Sequence, residues 1–253
     1  MRSNRFRRSS ARGASGLRRP LAPRADSAVV QRPSLPFNFF DPDEEVHITR
    51  RHLPHWEQSV RTYFITFRTD DSIPADVLDR WHWRRRDWLL RHGINPDRND
   101  WPERLACLED RFQRQFHETV SREFHNHLDD CHGACVLRQP ELAKLVEASL
   151  HHFDGDRYQL GDFVVMPNHV HVLVQMLGGI KLKKQCSSWK HYTAVQINRE
   201  LKQQGRFWQE KSFDHVVRGP DQFERLRRYI AANPKNARLK PGEYIHYRRP
   251  DEK

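Results

Sequence analysis

Val164-Val-Met-Pro-Asn-His169-Val-His171-Val-Leu-Val-Gln175 is the stretch on which the reading of this chain turns. His169 and His171 stand two apart in a run of β-branched and apolar residues, and side chains at i and i+2 of a strand leave the same face of the sheet. Both imidazoles therefore point one way. Val170 and Val172 leave the other face, where they suit a core, so the strand reads as half core and half reactive surface. Two imidazoles aimed together could grip one metal ion. An isolated His-x-His is weak support in a chain with 16 histidines, so the surrounding sequence has to decide.

Working outward, Tyr158 to Met166 is a further strand, and Pro167-Asn168 is a tight link that makes the two strands an antiparallel hairpin. Gly178-Gly179 ends it. Thr62 to Arg68 is aromatic and β-branched, a third strand. A helix is expected from Ala75 to His92 and a second from Trp101 to Phe124, where Leu105, Leu108, Phe112, Phe116, Val120 and Phe124 recur every three or four residues as a core stripe. His125-Asn-His-Leu-Asp-Asp-Cys-His132 is rich in metal-ligand types, but it lies where a helix gives way to a loop. Without strand geometry to aim its side chains together, it is read as a helix terminus, where the dipole favours histidine, rather than a metal site.

Ala134 to Leu137 is expected to be a short strand, and Pro140 opens an amphipathic helix closed by Asp154-Gly155. Leu182, Cys186, Trp189, Thr193, Ile197 and Leu201 mark one side of another helix. Its other sides carry Lys181, Lys183, Lys184, Lys190, His191 and Lys202, which suits either solvent or a nucleic-acid backbone. The last strong element opens at Asp221 with Glu224 three residues on, and is expected to stop at Pro234. Alternating strands and helices with short hairpin links give an α+β fold, with helices over one face of an antiparallel sheet and the histidines on the open face.

That last helix carries Tyr229 and Asn233, four apart and so stacked on one face. A phenol and a carboxamide are presented together; Asn233 could be a third ligand beside His169 and His171, and Tyr229 could reach a phosphate bound there.

The composition points to a polyanionic partner. The chain has 253 residues and a net charge of +11, with nucleic acid the first candidate and an anionic membrane surface the second. Residues 1–32 contribute +8 of that through nine arginines and one acid, Asp26. This segment lacks an apolar period and reads as a disordered basic arm, although an organellar transit peptide shares its composition. No apolar run reaches the length of a membrane span. The four cysteines do not form two close pairs, so neither a disulfide framework nor a four-cysteine zinc site is indicated.

Met166-Pro-Asn-His-Val-His-Val-Leu-Val174, Ser188-Trp-Lys190, Phe207-Trp-Gln209, Phe213-Asp-His215 and Arg228-Tyr-Ile-Ala-Ala-Asn-Pro234 together resemble the IS200-like single-tyrosine transposases of the HUH nuclease superfamily. The likeness is greatest to the REP-associated tyrosine transposases. It implies a ferredoxin-like antiparallel sheet, a divalent metal (magnesium or manganese) on His169, His171 and Asn233, and Tyr229 as the nucleophile. The implied substrate is single-stranded hairpin DNA, cut and rejoined by a monomer or homodimer in the cytoplasm at the nucleoid. Lys190, Arg227 and Arg228 are the expected phosphate contacts. Residues 1–48 are then a basic tail and linker, 49–240 the catalytic domain with a helical segment over 75–127, and 241–253 a C-terminal tail. The alternatives are a hairpin-binding regulator with an idle site and an RNA-binding ferredoxin-like module; the aromatic pair expected of the latter on its central strands is not evident.

Overall fold

The computed structural model describes residues 37–41, 43–44, 47–50, 54–98 and 100–250. The Arg-rich segment, and with it the expectation of a disordered arm, lies outside them. Two short strands, β1 (His47–Arg50) and β2 (Pro54–Glu57), form an antiparallel pair. The main sheet comprises β3 (Thr62–Arg68), β4 (Tyr158–Val165), β5 (His169–Met176), β6 (Phe213–Val216) and β7 (Ile245–Tyr247) in the order β6-β3-β5-β4-β7, with every pairing antiparallel.

Helices α5 (Pro140–His151) and α6 (Leu182–Glu200) are the two crossovers, from β3 to β4 and from β5 to β6. Each connects strands that are separated by one other strand. This β-α-β-β-α-β order is the ferredoxin-like split βαβ arrangement, and the chain is α+β as its pattern requires. β7 extends it: part of the expected C-terminal tail pairs with β4, Val164 opposite His246.

Period-2 alternation divides the sheet between two cores. Val170, Val172, Val174 and Met176 join Tyr63, Ile65 and Phe67 against Leu142, Val146 and Leu150 of α5 and Cys186, Trp189 and Ile197 of α6. Phe64, Val164 and Leu173, on the histidine face, meet Phe223 and Ile230 of α7 (Pro220–Asn236). The histidine face is thus roofed by a helix and is a crevice rather than an open surface. Phe37 and Phe39, from the expected linker, add to this roof by packing on Phe223, and Phe40 N–H donates to Val217 C=O at 2.9 Å.

Gly161 shows how closely that face is packed. A Cβ there would stand 3.0 Å from both Cβ and the carbonyl oxygen of Leu173 on β5, beside a bulge between Leu160 and Phe163. Gly161→Val is expected to destabilise the protein by about 1–3 kcal/mol through overpacking, read as a lower urea midpoint at unchanged m-value.

The long crossover from β3 to α5 holds the helical insertion: α1 (Ala75–Arg91), α2 (Trp101–Ala106), α3 (Asp110–Phe116), a π turn over His117–Ser121 and α4 (Arg122–Asp129). The single helix expected over 101–124 is therefore broken at Cys107 to Glu109. The break lets Trp101 and Leu105 fold back so that they share a core with Leu89, Ile94, Phe116 and Val120. Gln113 covers the freed Leu108 carbonyl with a side-chain hydrogen bond of 2.7 Å. The strand expected at 134–137 is a 3-10 turn, Val136–Arg138, whose Leu137 N–H donates to Pro167 C=O at 3.1 Å.

Two boundaries of α7 also differ from expectation. Gly219 is the N-cap and Pro220 the first helical residue, which suits its fixed φ, while Pro234 is buried inside the helix rather than ending it. Among the described residues no helix is long and apolar enough to cross a membrane.

Candidate active site and metal centre

His169 and His171 are fully buried, and the hairpin register fixes their direction. On β3, Arg68 pairs with His169 and Thr66 with His171. Thr66 Oγ1 lies 2.7 Å from His171 Nδ1, and Asn168 Oδ1 lies 2.8 Å from His169 Nδ1. The Asn168 amide nitrogen faces the carbonyls of His132 at 3.2 Å and Ser72 at 3.5 Å, so its oxygen must face the ring. It accepts from Nδ1–H, which leaves the His169 Nε2 lone pair free to act as a ligand. The ring centroids of the two histidines stand 4.7 Å apart.

Asn168 thus orients the His169 ring; if that ring holds a divalent ion, Asn168→Ala is expected to weaken the metal affinity by about 10–100-fold, the usual effect of losing a group that orients a ligating histidine. Manganese titration calorimetry on the two proteins would measure it; equal affinities would remove that role.

The roof helix brings its pair over the histidines. Tyr229 Oη lies 3.3 Å from His171 Nε2, with ring centroids 5.2 Å apart, and Asn233 is fully buried. The Asn233 carboxamide adjoins Asp129, His169 and Tyr229 closely enough to act on the ionisation of all three. None of these approaches has the geometry of an ordinary hydrogen bond: both polar atoms of Asn233 are buried without a partner, as are His169 Nε2 and Asp129 Oδ1.

Two residues that sequence reasoning set aside also reach the site. α4 places the His125 ring 6.0 Å from His171 and 5.9 Å from Tyr229, centroid to centroid, and Asp129 Oδ1 3.9 Å from His169 Nε2. Their spacing carried the signal: His125 and Asp129 are four apart, stacked on one helix face as Tyr229 and Asn233 are. His127, Asp130 and His132, from the same stretch, form a more exposed group whose ligand atoms all lie within 4.8 Å of one another.

Electrostatics follow from burial. Desolvation, and next the neighbouring His125, push His169 down to about 3; burial also holds His171 and His125 below the usual histidine range. The imidazoles are neutral near pH 7, so the approach of His169 to Asp129 is not an ion pair. Burial raises the Asp129 carboxyl to about 7. Burial first and Asp129 second push the Tyr229 phenol above its ordinary range. A neutral imidazole lone pair and an amide oxygen, both buried and unpartnered, fit a divalent cation, and His171 Nε2 is adjacent.

The expected phosphate contacts separate. Lys190 donates to the carbonyls of Gln209 at 3.1 Å and Glu210 at 2.5 Å. Arg227 is largely buried against Asp162, at 3.0 Å, and also reaches Glu224. Both cations are thus engaged within the fold, Arg227 because an unpaired Asp162 would be a buried uncompensated charge. Arg228 is exposed, with Nε on the Glu224 carbonyl at 3.3 Å.

Residues 136–233 match the family described as Transposase IS200 like. The likeness to that family extends over this segment, less than half of the chain. His169, His171, Tyr229 and Asn233 all fall within it, whereas His125 and Asp129 precede it. Among solved structures, a REP-associated tyrosine transposase bound to a REP hairpin is similar at 12% identity and a TM-score of 0.37, over 70% of this chain and 68% of that chain. No curated protein matches the chain.

Proposed function

We propose that this protein is a metal-dependent single-strand DNA endonuclease and strand transferase that acts through a 5′-phosphotyrosine link on hairpin DNA. The observation that carries the reading is the 3.3 Å approach of Tyr229 Oη to His171, which sets a nucleophile beside the ligand pair. His169, His171 and Asn233 would hold the divalent ion. When bound, such an ion polarises a phosphoryl oxygen and offsets charge developing there.

The chain's own groups supply the rest. The β3 to β5 register and the Asn168 and Thr66 hydrogen bonds keep both rings in one orientation. Phe64 stacks on His171 with centroids 5.4 Å apart and meets the Tyr229 ring edge-on at 6.0 Å, which limits the motion of the nucleophile. A phenol is a weak nucleophile at neutral pH, and burial makes this one weaker until a cation's charge opposes that effect. The Tyr229 oxygen forms a bond to phosphorus, the bond from phosphorus to the 3′-oxygen breaks, and that oxygen gains a proton as the phenol loses one. The phosphodiester energy stays in the covalent link, so a second 3′-hydroxyl can reverse the step and rejoin a strand without ATP.

Because Tyr229 meets the histidines of its own chain, a monomer contains the whole constellation. Arg228, exposed one residue before the nucleophile, is the phosphate contact this reading favours. The test is incubation of the full chain with manganese and an end-labelled single-stranded hairpin from the flanks of its own gene, resolved on a denaturing gel. Cleavage that disappears with chelator supports the reading. Tight hairpin binding without cleavage under any divalent metal would favour the idle-site regulator.

A further inference from the structure

Asp129 Oδ1, His169 Nε2 and both polar atoms of Asn233 are buried without hydrogen-bond partners, and they arrive from three separate elements, α4, β5 and α7. Leaving one such group unsatisfied costs about 1–3 kcal/mol, and more if it is charged. Gathering them in one place needs a reason. Three of the four, the carboxylate oxygen, the imidazole lone pair and the amide oxygen, are acceptors that cannot satisfy one another, and the fourth, the Asn233 amide N–H, is bonded to none of them. A cation satisfies all three together.

Asp129 Oδ1 and His169 Nε2 stand 3.9 Å apart, no farther than two ligands of one ion with bonds of about 2.1 Å can reach.

We propose that Asp129 is an anionic ligand of the metal centre, contributed by the helical insertion. The inference rests on the metal-dependent reading above and extends its ligand set beyond the residues that match the transposase family. It gives the insertion a role in the site. α4 and the turns on either side of it are held by several contacts: Trp81 Nε1 donates to the Val120 carbonyl at 2.8 Å, Arg84 pairs with Glu123, and Ala134 N–H donates to Asp71 Oδ2 at 2.7 Å. Gly133 makes the last contact possible, since φ is +86° and a Cβ would stand 2.6 Å from Asp71. Asn168 ties both parts together, orienting His169 through its oxygen and holding the His132 carbonyl, three residues past Asp129, through its nitrogen. A carboxylate in the set favours magnesium and manganese over softer ions.

The experiment is manganese titration calorimetry with parallel thermal melts on the full chain, comparing the natural protein with Asp129→Asn, Asp130→Asn and His169→Ala. Asp129→Asn keeps the side-chain shape and removes the charge. It is expected to weaken manganese affinity by about tenfold or more, while its metal-free melting temperature stays level or rises because an uncompensated buried carboxylate has gone. Asp130→Asn is expected to bind as the natural protein does. If Asp129→Asn binds manganese normally while His169→Ala does not, Asp129 is no ligand and the metal-dependent reading stands without it. Loss of binding confined to Asp130→Asn would place the ion on His127, Asp130 and His132 and overturn the proposal. A natural protein that takes up no manganese would overturn both readings.

Discussion

Tyr229→Phe is expected to retain hairpin DNA binding and to lose strand cleavage by about 10⁴-fold or more, the scale seen when a sole nucleophile is removed. The substitution deletes one oxygen, which approaches His171 Nε2 at 3.3 Å and adjoins the Asn233 carboxamide. A hydrogen bond that long contributes at most about 1 kcal/mol, and the ring keeps its edge-on packing against Phe64. The variant should therefore melt within a few degrees of the natural protein. Single-turnover cleavage beside an electrophoretic binding assay measures both quantities. Cleavage by the Phe variant at an undiminished rate would assign the attack to water or another side chain.

The second large effect is expected at the histidines. His171→Ala removes the ring between Thr66 and Tyr229, and His169→Ala removes the one held by Asn168. Each should abolish the manganese-induced rise in melting temperature and lower cleavage by about 10³-fold or more, since several kcal/mol of charge stabilisation goes with the ion and each 1.36 kcal/mol is a factor of ten. Truncating a buried ring also leaves a cavity and an unpaired partner hydroxyl or amide, costing about 1–3 kcal/mol. His171→Gln, which refills part of the space, separates the two effects: it should recover stability but not metal-dependent cleavage. Recovery of cleavage by added manganese at millimolar concentration would indicate weakened rather than lost binding.

What the sequence makes legible is what local periodicity encodes. The alternation around His169 and His171 specifies a strand with both rings on one face, and the four-residue step from Tyr229 to Asn233 specifies a shared helix face. Both arrangements are present. Asp129 shows where that kind of reading stops: its four-residue step from His125 specifies a shared helix face, but its approach to His169 depends on an insertion folding back across the sheet, which local spacing does not encode. The helix expected over 101–124 fails for a related reason. No Gly or Pro interrupts Leu105 to Phe124, and the break at Cys107 to Glu109 comes from two apolar stripes converging on Leu89 and Ile94.

Charge is legible as a total, and less so as a distribution. Arg227 looks as available as Arg228 in the sequence, yet Asp162, far away in the chain, lies 3.0 Å from its guanidinium. Lys190 is similarly engaged by two backbone carbonyls of the loop before β6. Arg228 keeps its exposure because it faces away from the sheet, one residue round the helix from Tyr229.

The most direct test of the central claim is mass spectrometry of the protein after reaction with a single-stranded hairpin and manganese, followed by digestion and mapping of any nucleotide-modified peptide. A 5′-phosphate-linked nucleotide is expected on Tyr229, absent when chelator is present. A free 5′-phosphate product with no adduct on the protein, or an adduct on a residue other than Tyr229, would contradict it.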